Sequence, residues 1–179
     1  MPAARESLLD AAVAALAARP WPAVRMVDVA AAAGVSRQTL YNEFGGKAGL
    51  GRALVRLETG RYLDGVDRAL AAPGSDAERL AAVAEWTVRA AGAHPLLRAL
   101  LTGARDAALP APGRAPGPGE LARAVRDRAV AALAPAGGAR RCELVVRLAL
   151  SYVVAPGEEP GAGELLRLLS EPNRRAAAR

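Results

Sequence analysis

An all-α fold is predicted by three features of the sequence. Alanine makes up about a quarter of the 179 residues, and it is the best helix former and a poor strand former. Apolar residues reach 52% while aromatics supply only 3%, so the core must be built from Ala, Leu and Val. Apolar positions also recur near a 3.6-residue period between Pro- and Gly-rich breakers along the chain.

The elements follow in order. Residues 1–19 form an amphipathic helix, with Leu8, Leu9, Ala12, Val13 and Leu16 on its apolar side. Pro20 and Pro22 stop it and flank Trp21, which is expected to lie as a lid on the core. A short helix at 27–33 ends at Gly34, a residue tolerant of left-handed backbone. Ser36 is the expected N-cap of the next helix, 37–43, which Gly45-Gly46 terminates. A long helix then runs from Lys47 to about Leu70 through Leu50, Leu54, Leu57, Leu63 and Val66. Its glycines Gly51, Gly60 and Gly65 each cost about 1 kcal/mol relative to Ala. They suit a hinge or simple compositional drift, and both readings stay open. After the turn Pro73-Gly74-Ser75-Asp76, helices are expected at 76–92, 95–107, 119–134, 138–154 and 161–170. The count is about nine, with no strand and no internal repeat. The run 110–119 is a flexible loop by composition, and residues 173–179 are a frayed tail.

Several functional classes are excluded. No apolar run reaches the roughly 18–20 residues that span a bilayer, and Arg5, Glu6 and Asp10 interrupt the N-terminal apolar stretch. A cytoplasmic protein without membrane contact is therefore expected. The single cysteine, Cys142, rules out an internal disulfide framework, and the single histidine, His94, rules out a two-His metal or catalytic site. There is no P-loop and no Gly-x-Gly-x-x-Gly after a strand. No enzymatic activity, catalytic residue, metal or cofactor is expected. The net charge of +6 permits a polyanionic partner. It is not concentrated at the N-terminus: five basic residues (Arg5, Arg19, Arg25, Arg37, Lys47) face four acidic ones over residues 1–50.

The specific signal is residues 28–44, Asp-Val-Ala-Ala-Ala-Ala-Gly-Val-Ser-Arg-Gln-Thr-Leu-Tyr-Asn-Glu-Phe. Two short helices joined by a Gly-containing turn form a helix-turn-helix. Ala30 is small enough for a close crossing. Val29, Val35, Leu40 and Phe44 supply the apolar contacts, the last two sharing a face at i, i+4. The opposite face shows Arg37, Gln38, Thr39, Tyr41 and Asn42, a hydrogen-bonding surface that fits a major groove about 12 Å wide.

This stretch, with Gly34-Val35-Ser36, Thr39-Leu40-Tyr41, Phe44 and Lys47 in place, resembles the signature of the tetracycline-repressor (TetR) family of bacterial transcription regulators. The resemblance covers roughly residues 5–55. It implies a DNA-binding domain at 1–50 and an effector-binding and dimerisation domain at 51–172. It implies phosphate contacts from Ser36, Thr39, Tyr41 and Lys47, as suits hydroxyls and a Lys at helix N-termini. Arg37, Gln38 and Asn42 are the candidate base readers: Arg suits guanine, Gln and Asn suit adenine. The chain departs from the family pattern at two positions. Arg25 stands where the second helix usually opens with Thr, and can still reach a phosphate. Glu43 replaces a frequent His or Tyr, so it must turn away from DNA or pair with an Arg.

The resemblance further implies a homodimer on a pseudo-palindromic double-stranded operator and repression relieved by a small-molecule effector. The long fourth helix would link the reading head to the effector domain. A hydrophobic ligand is expected against Trp86, Leu97, Leu101 and Tyr152, although Trp86 also suits plain core packing. Leu144 and Leu148, together with Leu165, Leu168 and Leu169, are expected at the dimer interface. Cys142, between Arg141 and Glu143, suits either an inert thiol or one activated by the neighbouring Arg. His94 before Pro95 suits a turn residue or a sensor. The rival readings are a DNA-binding or protein-interaction module without ligand control.

Overall fold

The computed structural model describes residues 2–133 and 138–155. Among these there are eight α-helices and no strand. They are α1 (Pro2–Ala18), α2 (Met26–Ala32), α3 (Arg37–Phe44), α4 (Lys47–Leu70), α5 (Asp76–Ala93), α6 (Pro95–Thr102), α7 (Pro118–Ala132) and α8 (Gly138–Val154), with a 3-10 turn at Trp21–Ala23. The helix expected at 161–170, with Leu165, Leu168 and Leu169, and the tail 173–179 lie outside the described residues.

The described residues divide into two compact units, one within Met1–Arg61 and Pro95–Gly117, the other within Tyr62–His94 and Pro118–Arg179. The first therefore takes in residues 51–61 and 95–117 beside 1–50. In it α1, α2 and α3 pack on one another around Leu8, Ala12, Val29, Ala30 and Leu40, each at most 1% exposed. Leu50 and Leu54 from α4 are buried as well, and so are Leu96, Leu97, Leu100 and Leu101 from α6. Each such leucine contributes about 1.5–3 kcal/mol of apolar burial. Helix α6 stops at Thr102, short of the expected 107. Gly103 leaves the helix with φ +73°, and the Thr102 hydroxyl accepts from the Ala104 amide at 3.3 Å.

In the second unit α8 packs against both α5 and α7. Helix α5 starts on a reciprocal capping box. The Ser75 hydroxyl accepts from the Glu78 amide at 3.3 Å, and the Glu78 carboxylate accepts from the Ser75 amide at 2.7 Å. Tyr62, buried with its hydroxyl toward α5, was not among the expected core residues. Thr87 Oγ1 donates to the Val83 carbonyl at 2.8 Å, so the Tyr62 hydroxyl must be the donor in its 3.1 Å bond to Thr87. Burial pushes the Tyr62 phenol above its ordinary pKa.

The helix α4 glycines have separate reasons. A methyl on Gly51 would lie 3.2 Å from the Trp21 ring and 3.3 Å from Pro110. Gly65 lies beneath Trp86. Gly60 faces open space, with nothing within 4 Å of an added Cβ. Gly60→Ala is thus expected to stabilise the protein by about 1 kcal/mol through helix propensity. Urea unfolding would show a higher midpoint at unchanged slope; a lower midpoint would contradict the assignment.

Cys142 is fully buried, and burial pushes its thiol up more strongly than Arg141 draws it down. Of the two readings open for this cysteine, its burial favours the inert thiol. His94 is exposed and serves as the C-terminal cap of α5, its amide donating to the Ala90 carbonyl at 2.9 Å.

Candidate nucleic-acid interface

The turn and the second short helix follow from local chemistry. Gly34 takes φ +66°, and the Val35 amide closes back on the Ala30 carbonyl at 3.0 Å. Ser36 caps α3, its Oγ accepting from the Thr39 amide at 3.0 Å. Gly45, at φ +70°, ends the helix. Leu40 and Phe44 are buried beneath α3. Arg37, Gln38, Tyr41 and Asn42 are exposed on it, and Thr39 is half-buried. The helix therefore lies on the core by one stripe and offers the other side to solvent. Tyr41 is 42% exposed, a large ring left outside the buried core.

The residues expected to contact phosphates are differently prepared. Ser36 Oγ and Thr39 Oγ1 are hydrogen-bonded to each other at 2.9 Å, forming one hydroxyl cluster at the start of α3. Lys47 does not extend freely into solvent. Its ammonium donates to the Pro22 carbonyl at 2.9 Å and sits 5.3 Å from the centre of the Trp21 ring. Two of its three N–H donors remain for a phosphate. Trp21 is half-buried, and its amide donates to the Ala108 carbonyl at 2.7 Å.

Arg25 precedes α2 without capping it through its side chain. Instead it forms a two-pronged pair with Asp28, Nε and Nη2 each 2.9 Å from a carboxylate oxygen. Arg19 reaches the same carboxylate at 3.6 Å. The hydrogen bonds from Arg25 hold the Asp28 carboxyl below its ordinary pKa, so the pair is intact at neutral pH and loosens only as acid protonates Asp28. Glu43 turns to Arg5 at 3.4 Å, and the Arg5 guanidinium lies 4.8 Å from the Phe44 ring centre. The pairing expected for this departure from the family pattern is the one found.

Of the residues expected to meet a ligand, Leu97 and Leu101 belong to the first unit and are buried. Trp86 and Tyr152 belong to the second and are half-buried. Trp86 is built into its unit. Its Nε1 donates to the Tyr62 carbonyl at 3.0 Å, and Arg68 and Arg89 approach its ring at 5.9 and 5.6 Å. A groove of about 420 Å³ between α7 and α8 is lined by Ala122, Arg123, Arg126, Glu143, Val146 and Leu150 among others. Neither Trp86 nor Tyr152 lines it, and no motif in the sequence marks it. On α8, Leu144 is 55% exposed and Leu148 is half-buried. No described helix is long and apolar enough to cross a membrane.

Comparisons with known proteins agree with this geometry. Residues 8–54 match the model of the bacterial regulatory proteins of the tetR family. The chain is 40% identical over 100 residues to the HTH-type transcriptional regulator AlkX of Mycobacterium tuberculosis. That match covers 55% of this chain and 47% of the relative, so it spans about half the relative's length. Among solved structures, the TetR family repressor AlkX from Dietzia sp. strain DQ12-45-1b, implicated in biodegradation of n-alkanes, aligns with a TM-score of 0.58 and 26% identity. The alignment covers 92% of this chain and 93% of that one. FadR from Bacillus subtilis, solved in complex with stearoyl-CoA, shares the fold with a TM-score of 0.53 at 14% identity, over 92% of this chain and 95% of its own.

Proposed function

We propose that the chain, whose residues 8–54 match the model of the bacterial regulatory proteins of the tetR family, is a sequence-specific transcriptional repressor of that family. The observation that carries this reading is the two-sided character of α3. Leu40 and Phe44 anchor it, and Arg37, Gln38, Tyr41 and Asn42 stand exposed in one short row that a major groove can accept. Ser36, Thr39, Tyr41, Lys47 and Arg25 contact phosphates and set the register, and Arg37, Gln38 and Asn42 read base edges. Arg25 exchanges Asp28 for a phosphate on binding.

The working form is a homodimer, for which the exposed Leu144 on α8 offers apolar surface. Two copies place their recognition helices one helical turn apart on a pseudo-palindromic operator, about 34–36 Å. The effector is a hydrophobic small molecule. The apolar composition favours this, and so does the similarity to a repressor implicated in n-alkane biodegradation. Trp86 and Tyr152, half-buried in the second unit, are its candidate contacts. A typical coupling of about 1–3 kcal/mol would weaken operator binding about 5–150-fold.

The test is a fluorescence anisotropy titration of duplex DNA from immediately upstream of the chain's own gene, against random duplex, over a salt series. Binding should beat random DNA and fall steeply with salt. Lys47→Ala should lower the salt slope by about one, and Arg37→Ala should weaken binding on the operator far more than on random DNA. If Arg37→Ala and Tyr41→Ala both leave DNA binding unchanged, the helical-interaction reading takes its place.

A further inference from the structure

We propose that Gln38 and Asn42 read DNA as one unit whose target is a single A·T base pair in each half-site. This inference rests on the DNA-binding reading above and specifies its chemistry. The two residues stand four apart on α3, both exposed. Gln38 Nε2 donates to Asn42 Oδ1 at 2.8 Å. That bond uses a donor of one amide and an acceptor of the other. The pair still presents the Gln38 Oε1 acceptor and the Asn42 Nδ2 donors, together with the second Nε2 hydrogen and the second Oδ1 lone pair.

Donors and acceptors offered together complement adenine, whose major-groove edge offers the N6 amino donor and the N7 acceptor. Guanine offers only two acceptors there, N7 and O6, and would leave the acceptors of the pair without a donor. The mutual bond also restricts two flexible side chains before DNA arrives, so less conformational entropy is lost on binding. Arg37, adjacent on the helix, carries donors only and cannot substitute for the pair's acceptor.

Selection from a pool of duplexes with a random 20-base-pair core tests the proposal. The wild-type chain should enrich a two-fold motif containing an A·T pair that Gln38→Ala and Asn42→Ala both relax, at the same position. On the best wild-type duplex each single variant should bind roughly tenfold more weakly, and the double variant about as weakly as either single one. Relaxation at two different base pairs, or losses that multiply in the double variant, would overturn the pairing while leaving sequence reading intact. A wild-type chain that enriches no motif would overturn both readings. Both side chains are exposed, and thermal unfolding of each variant checks that the fold is retained.

Discussion

Gly49→Ala is expected to destabilise the first unit by about 3 kcal/mol and to abolish specific DNA binding with it. Gly49 lies in the first turn of α4, immediately after the α3 terminus formed by Phe44, Gly45 and Gly46. An added methyl there would overlap the Phe44 carbonyl oxygen and lie 2.8 Å from the carbonyl carbon. Both atoms are backbone, so no side-chain rotation relieves the clash; α3 or α4 must move. Helix propensity alone would favour the same change by about 1 kcal/mol, which makes the sign informative. Gly49→Ala and Gly60→Ala are the same substitution in the same helix with opposite expected outcomes. Chemical denaturation of the two variants side by side decides the matter, and equal stabilisation by both would refute the close approach at Phe44.

Gly65→Ala is the second large effect, expected to cost about 2 kcal/mol. Its methyl would overlap the indole of Trp86 at Cε2, Cζ2 and Nε1. Here the obstacle is a side chain and can turn aside. Doing so forfeits the 3.0 Å bond from Nε1 to the Tyr62 carbonyl, and it takes the ring away from Arg68 and Arg89. The Trp86 emission, isolated by Trp21→Phe, should shift to longer wavelength as the unfolding midpoint falls. In a Trp86→Ala background the same Gly65→Ala change should be neutral or stabilising. A full penalty in that background would mean that the helix, and not the indole, sets the cost.

The sequence by itself determined the features whose causes are local. Ser36 and Gly45 bracket α3 because a hydroxyl three residues ahead of an amide, and a residue free to adopt positive φ, act within one turn of chain. The capping box at Ser75 and Glu78 is legible for the same reason. The partner of Glu43 was readable in kind, since a carboxylate on a helix expected to face DNA needs a cation, but Arg5 as that cation required the packing of α1 on α3. The expectation of a phosphate contact from Lys47 carried no sign that Pro22 already holds one of its protons.

Only tertiary structure sorted the glycines. Gly49, Gly51, Gly60 and Gly65 are alike to a propensity scale. The first meets backbone, the second Trp21 and Pro110, the third nothing and the fourth an indole. It also decided that Tyr62 would be buried as a donor to Thr87, and that Cys142 would be a sealed thiol beside an arginine that fails to activate it. The physical reason is common to these cases. Helix formation and capping depend on neighbours within four residues, whereas close approach and desolvation depend on which distant segment arrives at that side of the helix.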